Sequence, residues 1–272
     1  MKTMKMKKYI ALLLAAVMLL ALTACGKKNN SKSHLDKIKE AGVLVVGTSA
    51  DYPPYEGHIE IDGKDTIAGF EMSIAQHWAD SLGVELKIVD MAFDNLIISL
   101  SQGEFDVVIA GMTADEDRRQ SVDFTDSYLE SKNLVLVRAA EAAQFKTTAD
   151  LAGKKAGAQT GTKTMQKAVE FSGESNTVGL TKVPDIIMEL KSGKVDVVYL
   201  DYMVALAYAA NNDDLTAVDV GIPMVDEGYQ AAIRKGDAEL AEFLNGDIKA
   251  MLDQGLVEQY IVEAQNLFGI EE

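Results

Sequence analysis

The sequence predicts an α/β protein made of two related units. Three observations lead there. Short apolar, β-branched runs alternate with amphipathic helical patterns along most of the chain. The stretch Leu100-Ser-Gln-Gly103-Glu-Phe-Asp106-Val107-Val108 recurs as Leu190-Lys-Ser-Gly193-Lys-Val-Asp196-Val197-Val198. A similar helical pattern precedes each copy, at residues 93–100 and 185–190. Eleven residues past each leucine stand Gly111 in the first copy and Asp201 in the second.

Residues 1–24 read as a signal peptide. Lys2, Lys5, Lys7 and Lys8 precede an apolar run over residues 10–22, shorter than the about 20 residues of a membrane span. The run closes on Leu22-Thr23-Ala24-Cys25, a small-residue end. That quartet resembles a bacterial lipobox, which implies cleavage before Cys25 and lipidation of its thiol. Cys25 is the only cysteine, so an intramolecular disulfide and a Cys₄ metal site are excluded. Residues 25–33 are the lipidated start and a polar tether, and an acyl chain there would hold the rest at a membrane surface. The formal charge of −16 becomes more negative without the four lysines of residues 1–24. With no basic cluster, nucleic acid is not an expected partner. No later segment is long and apolar enough to span a bilayer.

From His34 onward each element has a local reason. A short helix ends near residues 38–40, and residues 43–46 form a compact β-branched strand. In Tyr52-Pro53-Pro54-Tyr55 the paired prolines exclude helix and hold the chain extended, which sets both tyrosines on a stiff loop. Gly69-Phe70-Glu71 leads into a helix with Ile74, Trp78 and Leu82 on one face and Gly83 as its stop. A strand at 85–89, a helix through Phe93, Leu96, Ile97 and Leu100, and a strand at 106–110 complete a parallel-sheet pattern. The second series starts with a strand at 133–137 and an alanine-rich segment to Ala143. The turn 156–162 enters a helix from Thr164 to about Phe171, where free N–H groups suit an anion. It lacks the glycine and lysine spacing of a Walker A or dinucleotide motif. Strands at 178–183 and 195–200 alternate with helices at 185–190 and 202–210. A last strand at 229–234 precedes helices at 238–252 and 257–267, divided by Gly255.

The chemistry gathers after the first repeat. The strand at 107–110 breaks at Gly111 and opens into Met112-Thr113-Ala114-Asp115-Glu116-Asp117-Arg118-Arg119. Gly-x-Thr followed by an arginine five residues on can bring backbone N–H groups, a hydroxyl and a guanidinium to one point. Carboxylates favour that donor set, because an arginine fork binds two oxygens at once. The competing reading pairs Arg118 and Arg119 with Asp115, Glu116 or Asp117 on a solvated helix turn. Asp201 favours the first: a carboxylate opposite a carboxylate-binding turn is what an α-amino acid zwitterion requires.

An ordered set of marks now carries a resemblance. They are Gly-Thr-x-x-x-Tyr-Pro-Pro-Tyr-Glu (47–56), Gly-Phe-Glu (69–71), Gly-Met-Thr-x-x-x-x-Arg (111–118) and Val-Asp-Phe-Thr-Asp-x-Tyr (122–128). Asp-Leu-Ala-Gly-Lys-Lys (150–155), Gly-x-Gln-x-Gly-Thr (157–162), Asp-Val-Val-x-x-Asp (196–201) and Arg-Lys-Gly (234–236) follow. The chain resembles the substrate-binding lipoproteins of ABC importers for polar amino acids, bacterial solute-binding protein family 3, which includes glutamine and lysine/arginine/ornithine binding proteins. The resemblance implies a two-lobed, periplasmic-binding-protein-like (type II) α/β fold with two crossover strands and a central ligand cleft. It places lobe 1 at 34–132 plus 227–272 and lobe 2 at 133–226. Local pattern alone gives two side-by-side domains, so the C-terminal return rests on the resemblance.

The resemblance also implies roles. Arg118 would pair with the ligand α-carboxylate, helped by the Thr113 N–H and a backbone N–H near Lys163. Asp201, the Gly111 carbonyl and the Thr113 hydroxyl would take the α-ammonium. Tyr52 and Phe93 would sandwich the side chain, against core packing for Phe93 and a sheet-edge cover for Tyr52. Asp201 also suits the N-cap of the 202–210 helix. Gln159 and Glu56 are specificity candidates, with solvent exposure the competing reading for Glu56. Ser49 stands where glutamine- and lysine-binding relatives carry an acidic residue. Glu56 or Asp51 would have to substitute for it, or else the ligand side chain is neutral. The expected partners are an L-amino acid and an ABC permease, for a monomer outside the cytoplasm with no cofactor.

Two other classes compete. A dehydratase-like enzyme acting on a small carboxylate needs a general acid or base near the anion site. His34 borders the tether, His58 lies in a polar loop and His77 faces solvent, and none has metal-ligand spacing. A receptor ectodomain would need a second span and a cytoplasmic domain, which the sequence does not carry.

Overall fold

The structure is a computed structural model and describes residues 32–223 and 227–270. The expected signal peptide and Cys25 lie outside the described residues. In chain order the strands are β1 (Val43–Thr48), β2 (Asp51–Tyr52), β3 (Glu56–Ile61), β4 (Lys64–Ala68), β5 (Glu85–Asp90), β6 (Val107–Val108) and β7 (Val122–Phe124). They continue as β8 (Asn133–Arg138), β9 (Ala156–Gln159), β10 (Thr177–Leu180), β11 (Val197–Asp201), β12 (Leu215–Val218) and β13 (Ala232–Arg234).

Two five-stranded sheets share one plan. The first has the order β5-β1-β6-β13-β7 and the second β10-β9-β11-β8-β12. In each, four strands run the same way and one, β13 or β8, runs antiparallel between its two neighbours. The chain leaves the first sheet after β7 and returns to it at β13, so it crosses twice. The two passages touch at Leu129 and Tyr229, where the Tyr229 N–H donates to the Leu129 carbonyl at 2.8 Å.

The repeated motif does the same work in both sheets. Asp106 accepts the Val45 N–H at 2.8 Å and returns its own N–H to the Val45 carbonyl at 2.8 Å. Asp196 does so with Lys155, at 3.0 and 2.7 Å. An arginine from the neighbouring antiparallel strand then pairs with each carboxylate, Arg234 with Asp106 at 3.4 Å and Arg138 with Asp196 at 3.3 Å. A glycine on the second strand of each sheet lets a neighbouring side chain press onto the strand. A Cβ on Gly47 would meet the Phe105 ring at 2.5 Å, and one on Gly157 would meet Ile186 at 2.6 Å.

Helices Phe70–Leu82, Ala238–Asp253 and Leu256–Leu267 cover the first sheet, with Trp78, Leu244 and Ile248 buried among them. Gly83 stops the first of these in a left-handed conformation, as its position suggested.

Several expectations change. Tyr52–Tyr55 is a turn, not an extended loop. The Tyr55 N–H donates to the Tyr52 carbonyl at 3.0 Å, the Pro53–Pro54 peptide is cis, and the Tyr55 ring packs on Phe70 and Tyr229. A hairpin of β3 and β4 fills a stretch read as polar loop, and it carries His58 on a strand. His34 borders the tether as expected and begins the helix His34–Ala41, and its ring meets Asp106, Asp237 and Arg234. His77 is half-buried and its ring meets the Tyr260 hydroxyl at 3.3 Å. The strand expected over 178–183 stops at Leu180, because Val183 already begins the helix Val183–Lys191.

Candidate ligand-binding site

A narrow cavity between the two sheets is open in part to solvent. All ten residues singled out from the sequence line it: Ser49, Tyr52, Glu56, Phe93, Gly111, Thr113, Arg118, Gln159, Lys163 and Asp201. Ser49, Gln159 and Asp201 come from the ends of β1, β9 and β11, where ligands gather in open α/β sheets, and Phe93, Arg118 and Lys163 come from helices.

One wall is built on the Gly111 turn. Gly111 takes a φ of 54°, a left-handed conformation that glycine adopts without steric cost. Its N–H donates to both carboxylate oxygens of buried Glu71, at 2.9 and 3.0 Å. The Tyr128 hydroxyl donates to Glu71 as well, at 2.5 Å. Beyond the turn, Asp115 caps the helix Glu116–Ser121 by accepting the Arg118 N–H at 2.7 Å. That cap aims the Arg118 side chain inward. Its guanidinium donates to the carbonyls of Thr113 at 2.5 Å and Gly161 at 2.8 Å, and lies 5.4 Å from the centre of the Phe93 ring. Burial pulls its pKa below the ordinary value, and Asp115 opposes the shift. Arg119 points the other way, to Glu227 and the Phe124 ring. The two arginines have separate jobs.

The other wall holds Asp201. It occupies the N-cap position of helix Tyr202–Ala210, yet its carboxylate makes no cap hydrogen bond. Instead it accepts the Tyr52 hydroxyl at 2.9 Å across the cleft. Burial raises its pKa to about 7, against the lowering effect of the Tyr52 and Tyr229 hydroxyls. A cation brought against it would favour the charged form.

Glu56 is fully buried, not solvent-exposed, and neither of its oxygens meets a donor. It faces Glu71, and burial raises both carboxyls, Glu56 well above the usual range. Glu71 accepts from Gly111 and Tyr128, whereas Glu56 has no such donor among the described residues. Gln159 gives its amide N–H to the Thr181 carbonyl at 3.0 Å, and Lys163 meets Asp115 at 2.5 Å.

Sequence reasoning missed other lining residues: Ser131, Asn133, Thr162, Thr164 and Tyr229. Asn133 has a buried side-chain N–H group with no acceptor and is the register partner of Asp201. Ser131 and Tyr229 sit where the chain changes sheets and Asn133 begins β8, and only tertiary packing brings them to the cavity.

Comparisons with known proteins bear on this site. Residues 44–263 match the family described as bacterial extracellular solute-binding proteins, family 3. The chain is 34% identical over 256 residues to the arginine-binding extracellular protein ArtP of Bacillus subtilis (strain 168), covering 93% of this chain and 96% of that one. It is 31% identical over 247 residues to the L-cystine-binding protein TcyJ of Escherichia coli (strain K12), with 90% and 91% covered. Among solved structures, an amino acid ABC transporter substrate-binding protein from Streptococcus pneumoniae Canada MDR_19A, bound to L-arginine, aligns with a TM-score of 0.84 at 35% identity. That match covers 89% of this chain and 100% of the other.

Proposed function

We propose a role from the premise that this chain belongs to the bacterial extracellular solute-binding proteins, family 3: it is the extracytoplasmic receptor of an ABC importer. It captures a polar L-amino acid between its two lobes and delivers it to a membrane permease. The observation that supports this most is the pairing of walls in one cavity, a largely buried arginine side chain on one and a buried carboxyl on the other. The relatives that the chain matches over nearly their whole length are described as binding proteins, which favours this reading over a dehydratase-like enzyme.

Arg118 exchanges the Thr113 and Gly161 carbonyls for the ligand α-carboxylate, aided by the N–H groups of Thr113 and Lys163. Asp201, the Gly111 carbonyl and the Thr113 hydroxyl take the α-ammonium. Tyr52 and Phe93 flank the side chain, and Ser49, Glu56 and Gln159 select it. Glu56 supports a cationic side chain, since a buried carboxyl without a donor gains most from one. Two similar proteins are described with arginine, so L-arginine is the first ligand to test.

Lobe 1 is taken as 34–132 plus 227–272 and lobe 2 as 133–226. A ligand that touches both favours the closed form by its added contacts. The chain acts as a monomer, anchored through lipid on Cys25 after loss of residues 1–24.

The test is thermal stability against the twenty L-amino acids and L-cystine. A ligand at 100 times its Kd adds about 2.7 kcal/mol, a rise of roughly 5–10 °C for a protein of this size. One strong responder supports the reading. No response from folded, ligand-free protein would overturn it.

A further inference from the structure

Helix Val183–Lys191 lacks a cap of its own. Its N-cap residue is Lys182, whose side chain makes no cap hydrogen bond and carries the charge that a helix N-terminus disfavours. Pro184, in the first turn, has no N–H to offer. The Val183 N–H is therefore a principal free donor of that turn, and it is not left free. Asp51, from β2 beyond the first sheet, accepts it at 2.8 Å. The same carboxylate accepts the Gln159 amide at 3.3 Å and the Ser49 hydroxyl at 3.2 Å. The Tyr208 hydroxyl donates to the Asp51 carbonyl at 3.4 Å. Three of these four donors follow the first crossing, in the segment that carries the second sheet.

We propose that Asp51 is a closure latch, the cap of a lobe 2 helix supplied in trans by lobe 1. The proposal rests on the lobe-closure reading above. When the lobes part, the Val183 N–H and the Asp51 carboxylate lose each other, so closure gains stability apart from any ligand contact. Asp51 is a positioning residue and not a ligand group. It shares Ser49 and Gln159 with the cavity, which ties the latch to the region where the ligand side chain is selected.

The test compares full-length wild type with Asp51→Ala, Lys182→Ser and the double variant. Small-angle X-ray scattering reads lobe separation, and calorimetry reads affinity for L-arginine and for its neutral analogue L-citrulline. Asp51→Ala is expected to enlarge the ligand-free particle, with saturating arginine restoring the closed size. Both ligands should weaken by the same factor, roughly tenfold for a lost charge-assisted hydrogen bond. In Lys182→Ser the helix carries its own cap, so Asp51→Ala costs less there than in wild type. Arginine weakened far more than citrulline would make Asp51 a ligand group and overturn the latch. So would unchanged size and affinity in Asp51→Ala. If wild type binds no amino acid, the functional reading fails instead, and ligand-free scattering still decides the latch.

Discussion

The two sheets agree at one end of their strands and differ at the other. At the shared end, Asp106 and Asp196 hold equivalent backbones and equivalent arginines with nearly matching distances. At the cleft end the repeat places Gly111 in one sheet and Asp201 in the other. The first ends in a turn that leads to a buried guanidinium, the second in a buried carboxyl. Two sheets of one plan thus keep what folds them and diverge at the proposed ligand cleft. Two like anion sites could not hold both ends of a zwitterion.

The contrast can be broken from either wall. Arg118→Ala should carry the largest effect, weakening ligand binding by about 3–5 kcal/mol in calorimetry because it strands a desolvated carboxylate. A loss below about 1 kcal/mol would mean that the carboxylate lies elsewhere. Asp201→Asn comes next, at about 2–5 kcal/mol for one partner of a buried charge pair. The shared end should respond differently. Asp106→Ala and Asp196→Ala each remove an acceptor for a backbone N–H, lowering chemical-denaturation stability by about 1–3 kcal/mol while Kd changes little. Equal losses of stability and affinity would erase the division between scaffold and site.

Proton linkage sharpens the same contrast. Burial holds the Asp201 pKa at about 7, and a ligand ammonium against it would lower it, so binding would expel a proton. Affinity should therefore rise with pH toward about 7 and level off above it, by at most about 1.4 kcal/mol per unit. Calorimetry across pH 5–8 checks the slope, and Asp201→Asn should flatten it. Arg119→Ala should be the mildest, under about 1 kcal/mol, since that side chain points to Glu227. A larger loss than Arg118→Ala would exchange the two arginines.

Much of this was legible before the structure. The Leu-x-x-Gly-x-x-Asp repeat located both sheets, because burial and strand spacing repeat with it, and counting from it found Gly111 and Asp201. The hairpin of β3 and β4 was overlooked although its signal was present. Asp62-Gly63 takes φ of 52° and 75°, the two left-handed positions of a type I′ turn. Strand β13 was not legible as a partner of β6, since long-range pairing leaves no local pattern; only family resemblance supplied it. The burial of Glu56 was hidden for a similar reason. It depends on Glu71 and Tyr128, which approach it only through tertiary packing.

The most direct test of the two-walled cleft is a calorimetric titration with three ligands that differ at one end each. L-arginine has both α-groups, agmatine lacks the α-carboxylate and 5-guanidinopentanoate lacks the α-ammonium. Arginine should bind at least a hundredfold more tightly than either analogue, with the agmatine deficit absent in Arg118→Ala. Agmatine or 5-guanidinopentanoate binding as tightly as arginine would contradict the account, because one of the two walls would then be holding nothing.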